Sequence, residues 1–223
     1  MLTCLAPTWD INPFHHTEMS MRLALILAGC LAFTASAQAQ SYPPRDFQIA
    51  AAVSPLPENL RAGARVLGYT SNGKFGVLRS GTNEMTCIAD DPSGKQFHVA
   101  CYHRSLEPFM ARGRELHALK KTPEAIDSVR GRDIRTGKYA MPSRPAGLYQ
   151  YWASRDSVDM ATGTIRGAEY LYVVYTPYAT YRTTGVSENP VDGGPWIMYP
   201  GKPWAHLMIQ PQKSSRVEIK RNQ

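Results

Sequence analysis

A bridge between Cys87 and Cys101 would constrain this chain more than any other feature of its sequence. Met85 to Ala89 and Phe97 to His103 each read as a strand. The segment Asp90-Asp91-Pro92-Ser93-Gly94-Lys95 between them is turn chemistry. Two cysteines on neighbouring strands are close enough to join. The loop so closed is about fifteen residues, worth roughly 3 kcal/mol in the chain-entropy account. The two turn acids lack the regular spacing of a calcium loop and are read as turn residues.

Whether the pair is a disulfide depends on the compartment, and the N-terminal region speaks to that. Arg22 precedes the apolar run Leu23 to Phe33, and small residues follow from Thr34 to Gln40. This is the order of a secretory signal, with Ala37-Gln38-Ala39 placing cleavage after Ala39 and Ala35-Ser36-Ala37 as a second site. The run is too short for a membrane helix of about twenty apolar residues. Residues 1–20, with Asp10, Glu18, His15 and His16, make an awkward extension, so a start at Met19 or Met21 is expected. Leu27-Ala28-Gly29-Cys30 also has the pattern of a lipoprotein box, which would anchor the chain through a lipid on Cys30. Plain cleavage is preferred, because the apolar run continues past that cysteine. Cleavage at Ala39 removes Cys4 and Cys30 and leaves one pair, which an oxidising compartment such as the periplasm or the exterior would join.

The full chain of 223 residues carries a net charge of +7. Without residues 1–39 the balance becomes 24 basic against 16 acidic side chains, enough to favour anionic partners, although solubility alone explains such a balance. The basic stretch from Arg104 to Lys138 holds a single aromatic residue, Phe109, and so lacks the interleaved rings that would suit nucleic acid.

The residues map to one domain. Residues 40–58, with Pro43, Pro44, Pro55 and Pro57, read as an extended lead-in; residues 59–212 as a single α+β domain; residues 213–223 as a polar tail. Val66 to Thr70 and Phe75 to Leu78 flank Ser71-Asn72-Gly73-Lys74, which predicts a hairpin with a type I′ turn. A helix capped by Ser105, with Pro108 in its first turn, buries Leu106, Phe109, Met110, Gly113 and Leu116. A second helix runs from Pro123 to about Arg135 behind Thr122, weakened by Gly131. Leu148 to Ala153 and Tyr170 to Thr176 return to strand; the latter is apolar on both faces and is expected at the sheet centre, with helices over one side. Trp196 to Tyr199 and Ala205 to Ile209 flank Pro200-Gly201-Lys202-Pro203 as a last hairpin. The class is therefore α+β: a mainly antiparallel sheet built from hairpins, with two helices inserted between the N-terminal and C-terminal strands.

Chemistry is sparse. The sequence lacks G-x-S-x-G, H-E-x-x-H, a phosphate-binding glycine loop and C-x-x-C, so no cofactor or metal is expected. His98 and His103 fall on opposite strand faces, and His117 on the charged side of a helix. His103 and His206 remain as candidate general bases. Arg104 and Ser105 join a cysteine-bearing strand to a helix N-terminus and are candidates for holding an anion. After Phe109 every aromatic residue is Tyr or Trp, and Trp196, Tyr199 and Trp204 are the candidate pocket wall.

Two segments carry a resemblance. Thr82-Asn83-Glu84-Met85-Thr86-Cys87 and the stretch from Gly193-Gly194-Pro195-Trp196 through Trp204-Ala205-His206-Leu207-Met208 are similar to segments of a group of exported bacterial proteins without assigned function. The resemblance implies a bacterial, exported origin and carries no activity. The function expected from the residues is binding of a small or anionic ligand between the C-terminal hairpin and the main helix. The alternative is an envelope hydrolase with His103 or His206 as base.

Overall fold

The strands pair where the turns between them allow it, and the first turn is not the one expected. In the computed structural model the described residues are 42–191, 193–211 and 216–220. The segment expected to be a signal, the residues before it and Cys30 lie outside them. β1 (Arg65–Tyr69) and β2 (Phe75–Arg79) form an antiparallel hairpin. Gly73 alone in its turn takes a positive φ, +78°, and its N–H donates to the Thr70 carbonyl at 2.8 Å. A type I′ turn would need Asn72 there as well. Instead the Asn72 side chain accepts from Thr70 Oγ1 at 2.5 Å and holds its own loop, the usual competing use of asparagine.

β3 (Met85–Ile88) and β4 (Phe97–His103) form the second hairpin, with Cys87 directly opposite Cys101 and joined to it as a disulfide. Both cysteines are fully buried. Then come β5 (Ala146–Ala153), β6 (Val158–Asp159), β7 (Thr164–Arg166), β8 (Glu169–Tyr175), β9 (Pro195–Met198), β10 (His206–Ile209) and β11 (Arg216–Glu218). The large sheet has eight strands in the order β2-β1-β3-β4-β5-β8-β10-β9, and the small one is β11-β7-β6. All pairs between named strands are antiparallel except β1 with β3, which is parallel.

The lead-in is a helix, not extended chain. α1 (Arg45–Val53) is followed by the single turn α2 (Glu58–Arg61). Pro44 stands just before α1 and Pro55 just after it, so the prolines bracket the helix without entering it. Asp46 in the first turn suits the positive end of the helix dipole. Every residue from Phe47 to Val53 is buried. Phe47, Ala50 and Ala51 pack on Phe97, Val99 and Tyr151, while Ile49, Ala52 and Val53 pack on Val66, Cys87 and Cys101.

α3 (Glu107–Ala118) follows a 3-10 turn, Arg104–Leu106. Ser105 therefore sits inside that turn; the side chain of His103 takes its N–H instead, so the cap lies two residues earlier than expected. α4 (Pro123–Arg135) has the expected bounds, with Thr122 Oγ1 accepting from Ala125 N–H at 3.3 Å. The short helix α5 (Tyr181–Thr184) lies between β8 and β9.

Strand alternation then sorts the faces. Phe97, Val99 and Cys101 point to the α1 side; Tyr102, Leu148, Val173 and Tyr175 point to the side where Leu106 and Phe109 pack. Helices thus cover both faces, where the sequence reading placed them over one. The expected polar tail also contributes: Val217 and Ile219 are buried against Ile165 and Phe47.

Candidate functional site

The loop from β9 to β10 is forced into a tight path. Tyr199 adopts φ +56° and Gly201 φ +71°. A non-glycine residue in that region costs roughly 1 kcal/mol, and the path holds Tyr199 at the surface, 41% exposed, while Trp204 is buried. The indole of Trp204 stacks on Phe109 of α3 at 6.5 Å between centroids, and Tyr199 leans on it at 6.2 Å. His206 lies 4.8 Å from the Tyr175 ring and 5.9 Å from that of Tyr199. Three residues singled out in the sequence, Tyr199, Trp204 and His206, are thus brought together.

α4 supplies the charges that sequence reasoning missed. Arg130 Nη2 donates to Asp127 Oδ1 at 2.8 Å, and its guanidinium carbon lies 3.8 Å from the centre of the Phe109 ring. Such a cation over an aromatic face is worth about 1 kcal/mol or more when desolvated. Burial first, then the Asp127 carboxylate, push the Tyr199 phenol above its ordinary range. Burial pushes Tyr175 up to about 12.

Burial lowers the His206 imidazole, partly opposed by its own hydrogen bond, in which Nδ1 meets the Trp204 carbonyl at 2.8 Å. A carbonyl only accepts, so Nδ1 carries the proton and Nε2 is the acceptor. Burial favours the neutral ring, in which Nε2 is left as the acceptor.

Three buried polar atoms here have no hydrogen-bond partner among the described residues: Arg130 Nε, Trp204 Nε1 and the Tyr139 hydroxyl. They belong to one neighbourhood. Arg130 and Trp204 share Phe109, and Tyr139 packs against the same cluster, where the Arg130 charge acts on its phenol. The first two can only donate, so the group they suit is an acceptor oxygen. Tyr139 also lines a cavity of about 420 Å³ with Ile134, Met141, Pro177 and Tyr178. Tyr178 N–H donates to the Lys202 carbonyl at 2.9 Å, tying one wall of this cavity to the C-terminal hairpin.

The other candidates lie elsewhere. Arg104 is ion-paired with Glu84 and exposed. His103 Nδ1 meets Ser105 Oγ at 2.8 Å, and its Nε2 lies 4.0 Å from the Glu84 carboxylate. β4 and β10 are separated by β5 and β8, about 14 Å at the usual strand spacing. Their registers put His103 and His206 on opposite faces. His103 therefore does not share a site with His206, and the Arg104 guanidinium is engaged by Glu84. Trp196 is buried in the same core cluster as Trp204 but pairs with Met208 across the strands. Among the described residues no group of three or more His, Cys, Asp or Glu side chains is placed to hold a metal ion, and no helix is long and apolar enough to cross a membrane.

The missed residues carry one sequence signal. Asp127 and Arg130 are three apart on a helix face, and Gly131 follows, a residue that makes sense inside a helix where something must approach closely. Comparison with known protein families, with curated proteins and with solved structures finds no match to this chain.

Proposed function

We propose that this chain is an exported, non-enzymatic domain that binds a small anionic or oxygen-rich ligand between α4 and the C-terminal hairpin. The observation that carries the reading is the set of three unpartnered hydrogen-bonding groups on Arg130, Trp204 and Tyr139. Unpaired buried donors are rare in native proteins, and each costs about 1–3 kcal/mol unless something accepts from it. A carboxylate, phosphate or sugar oxygen would supply acceptors to all three, with the cavity beside Tyr139 as its approach. Tyr178, exposed at that cavity, would offer a ring surface to the body of the ligand. Export is supported by the leader pattern and by the joined cysteines.

The test is a thermal-shift panel of phosphate, sulfate, acetate, citrate, glucuronate and neutral sugars on the mature chain. At least one oxygen-rich compound should raise the melting temperature in a saturable way. No shift with any of them removes the reading.

A second reading rests on one observation, the fixed tautomer of His206. A neutral imidazole with Nε2 as acceptor, beside Tyr175 and Tyr199, has the protonation state that a general base requires. On that reading the same cleft would turn over an envelope ester or glycoside. His206→Asn would then abolish turnover while leaving ligand affinity within about threefold.

A further inference from the structure

On the α1 side of the large sheet lies a cleft of about 270 Å³, built from three separate parts of the chain. Phe47 and Ala51 come from α1, Phe97 from β4, and Val158 and Met160 from β6 and the residues after it. We propose that this cleft is a second binding site, distinct from the first, for a small uncharged apolar molecule.

The argument from charge is the strongest. Among the described residues the ionic side chains in the wall are Asp90 and Arg155, which are paired with each other at 2.9 Å. Their other capacity is used inside the protein. Asp90 Oδ1 accepts from the His98 N–H at 2.8 Å, and Arg155 donates to the Gly94 and Gln96 carbonyls at 2.6 and 3.0 Å. Gln48 is spent in the same way: its Nε2 donates to the Pro43 and Tyr69 carbonyls and its Oε1 accepts from Tyr69 N–H. A charged ligand would lose its water here and meet an ion pair whose two members are already bonded to each other and to the backbone. An apolar ligand loses nothing.

The size and rigidity agree. A cavity of about 150 Å³ holds benzene, so this one suits on the order of ten non-hydrogen atoms. Arg155 also ties down the turn from Asp90 to Gln96, so that wall is formed before anything binds.

The test is calorimetric titration of the purified mature chain with indole, 1-octanol and octanoate. Indole and 1-octanol should each bind saturably with one site, and octanoate at least about tenfold more weakly, because it must bury a carboxylate. Ala51→Leu and Val158→Phe, which fill the cleft, should each weaken 1-octanol at least about tenfold while circular dichroism stays unchanged. Should Ala51→Leu fail to fold, Val158→Phe alone decides, since that side chain is only half-buried. Arg130→Met should leave 1-octanol binding unaltered, which separates this site from the one beside Trp204. The proposal is overturned by the absence of saturable binding, by equal affinity for octanoate, or by undiminished binding in the folded variants.

Discussion

Trp204 lies against Gly131 so closely that a Cβ added to the glycine would stand 2.8 Å from the Trp204 Cη2 atom. That contact seats the C-terminal hairpin on α4, and it explains a glycine in the middle of a helix, where it otherwise costs about 1 kcal/mol. Gly131→Ala therefore sets two effects against each other. The helix gains about 1 kcal/mol of propensity, while the clash with a buried indole costs about 1–3 kcal/mol. We expect net destabilisation of about 1 kcal/mol by denaturant unfolding, with Ser128→Ala, on the exposed side of the same helix, neutral or stabilising.

The disulfide joins directly opposed residues of β3 and β4 at the centre of the α1-side core. Replacing both cysteines by alanine should cost about 3 kcal/mol from the loop of this length. The loss is read as a lower melting temperature without reductant. Equal melting of the variant and the oxidised parent would mean that α1 and the sheet hold the hairpin without the bridge.

Acid should weaken the fold through His206. Burial lowers its folded pKa below the ordinary value, so the unfolded chain binds a proton more readily. Its contribution is then fully present above the ordinary histidine range and is lost as pH falls through the folded pKa. Arg130, on the facing helix, disfavours the charged ring as well, while Asp127 opposes that effect. His206→Asn, whose amide can still donate to the Trp204 carbonyl, should show a smaller loss of melting temperature between pH 7.5 and pH 5 than the parent, by roughly the part that histidine supplies. An unchanged loss would assign the acid sensitivity to other groups.

Much of the sheet was legible because its signals are local. Asp90 to Lys95 and Pro200 to Pro203 announce turns by composition, and the strands beside them pair accordingly. α4 was legible because Thr122 and Pro123 mark its start. α1 was not, since four prolines around it looked like extended chain, although none falls within it. The parallel pairing of β1 with β3 was hidden for another reason: it depends on non-local contact, which periodicity does not encode. The site was half legible. Tyr199, Trp204 and His206 stood out as aromatic and titratable residues on one hairpin. Asp127, Arg130 and Tyr139 did not, because only the seating of Trp204 on Gly131 brings them near.

Tyr139→Phe separates a binding hydroxyl from a structural one, and it is the most direct check on the ligand site. An unpartnered buried hydroxyl contributes nothing to the unliganded fold. Its removal should therefore leave the melting temperature of the free protein unchanged, or raise stability by about 1 kcal/mol. The same variant should lose most of the melting shift that the best oxygen-rich compound gives the parent. A destabilised free protein, or a full ligand shift in the variant, would contradict the account.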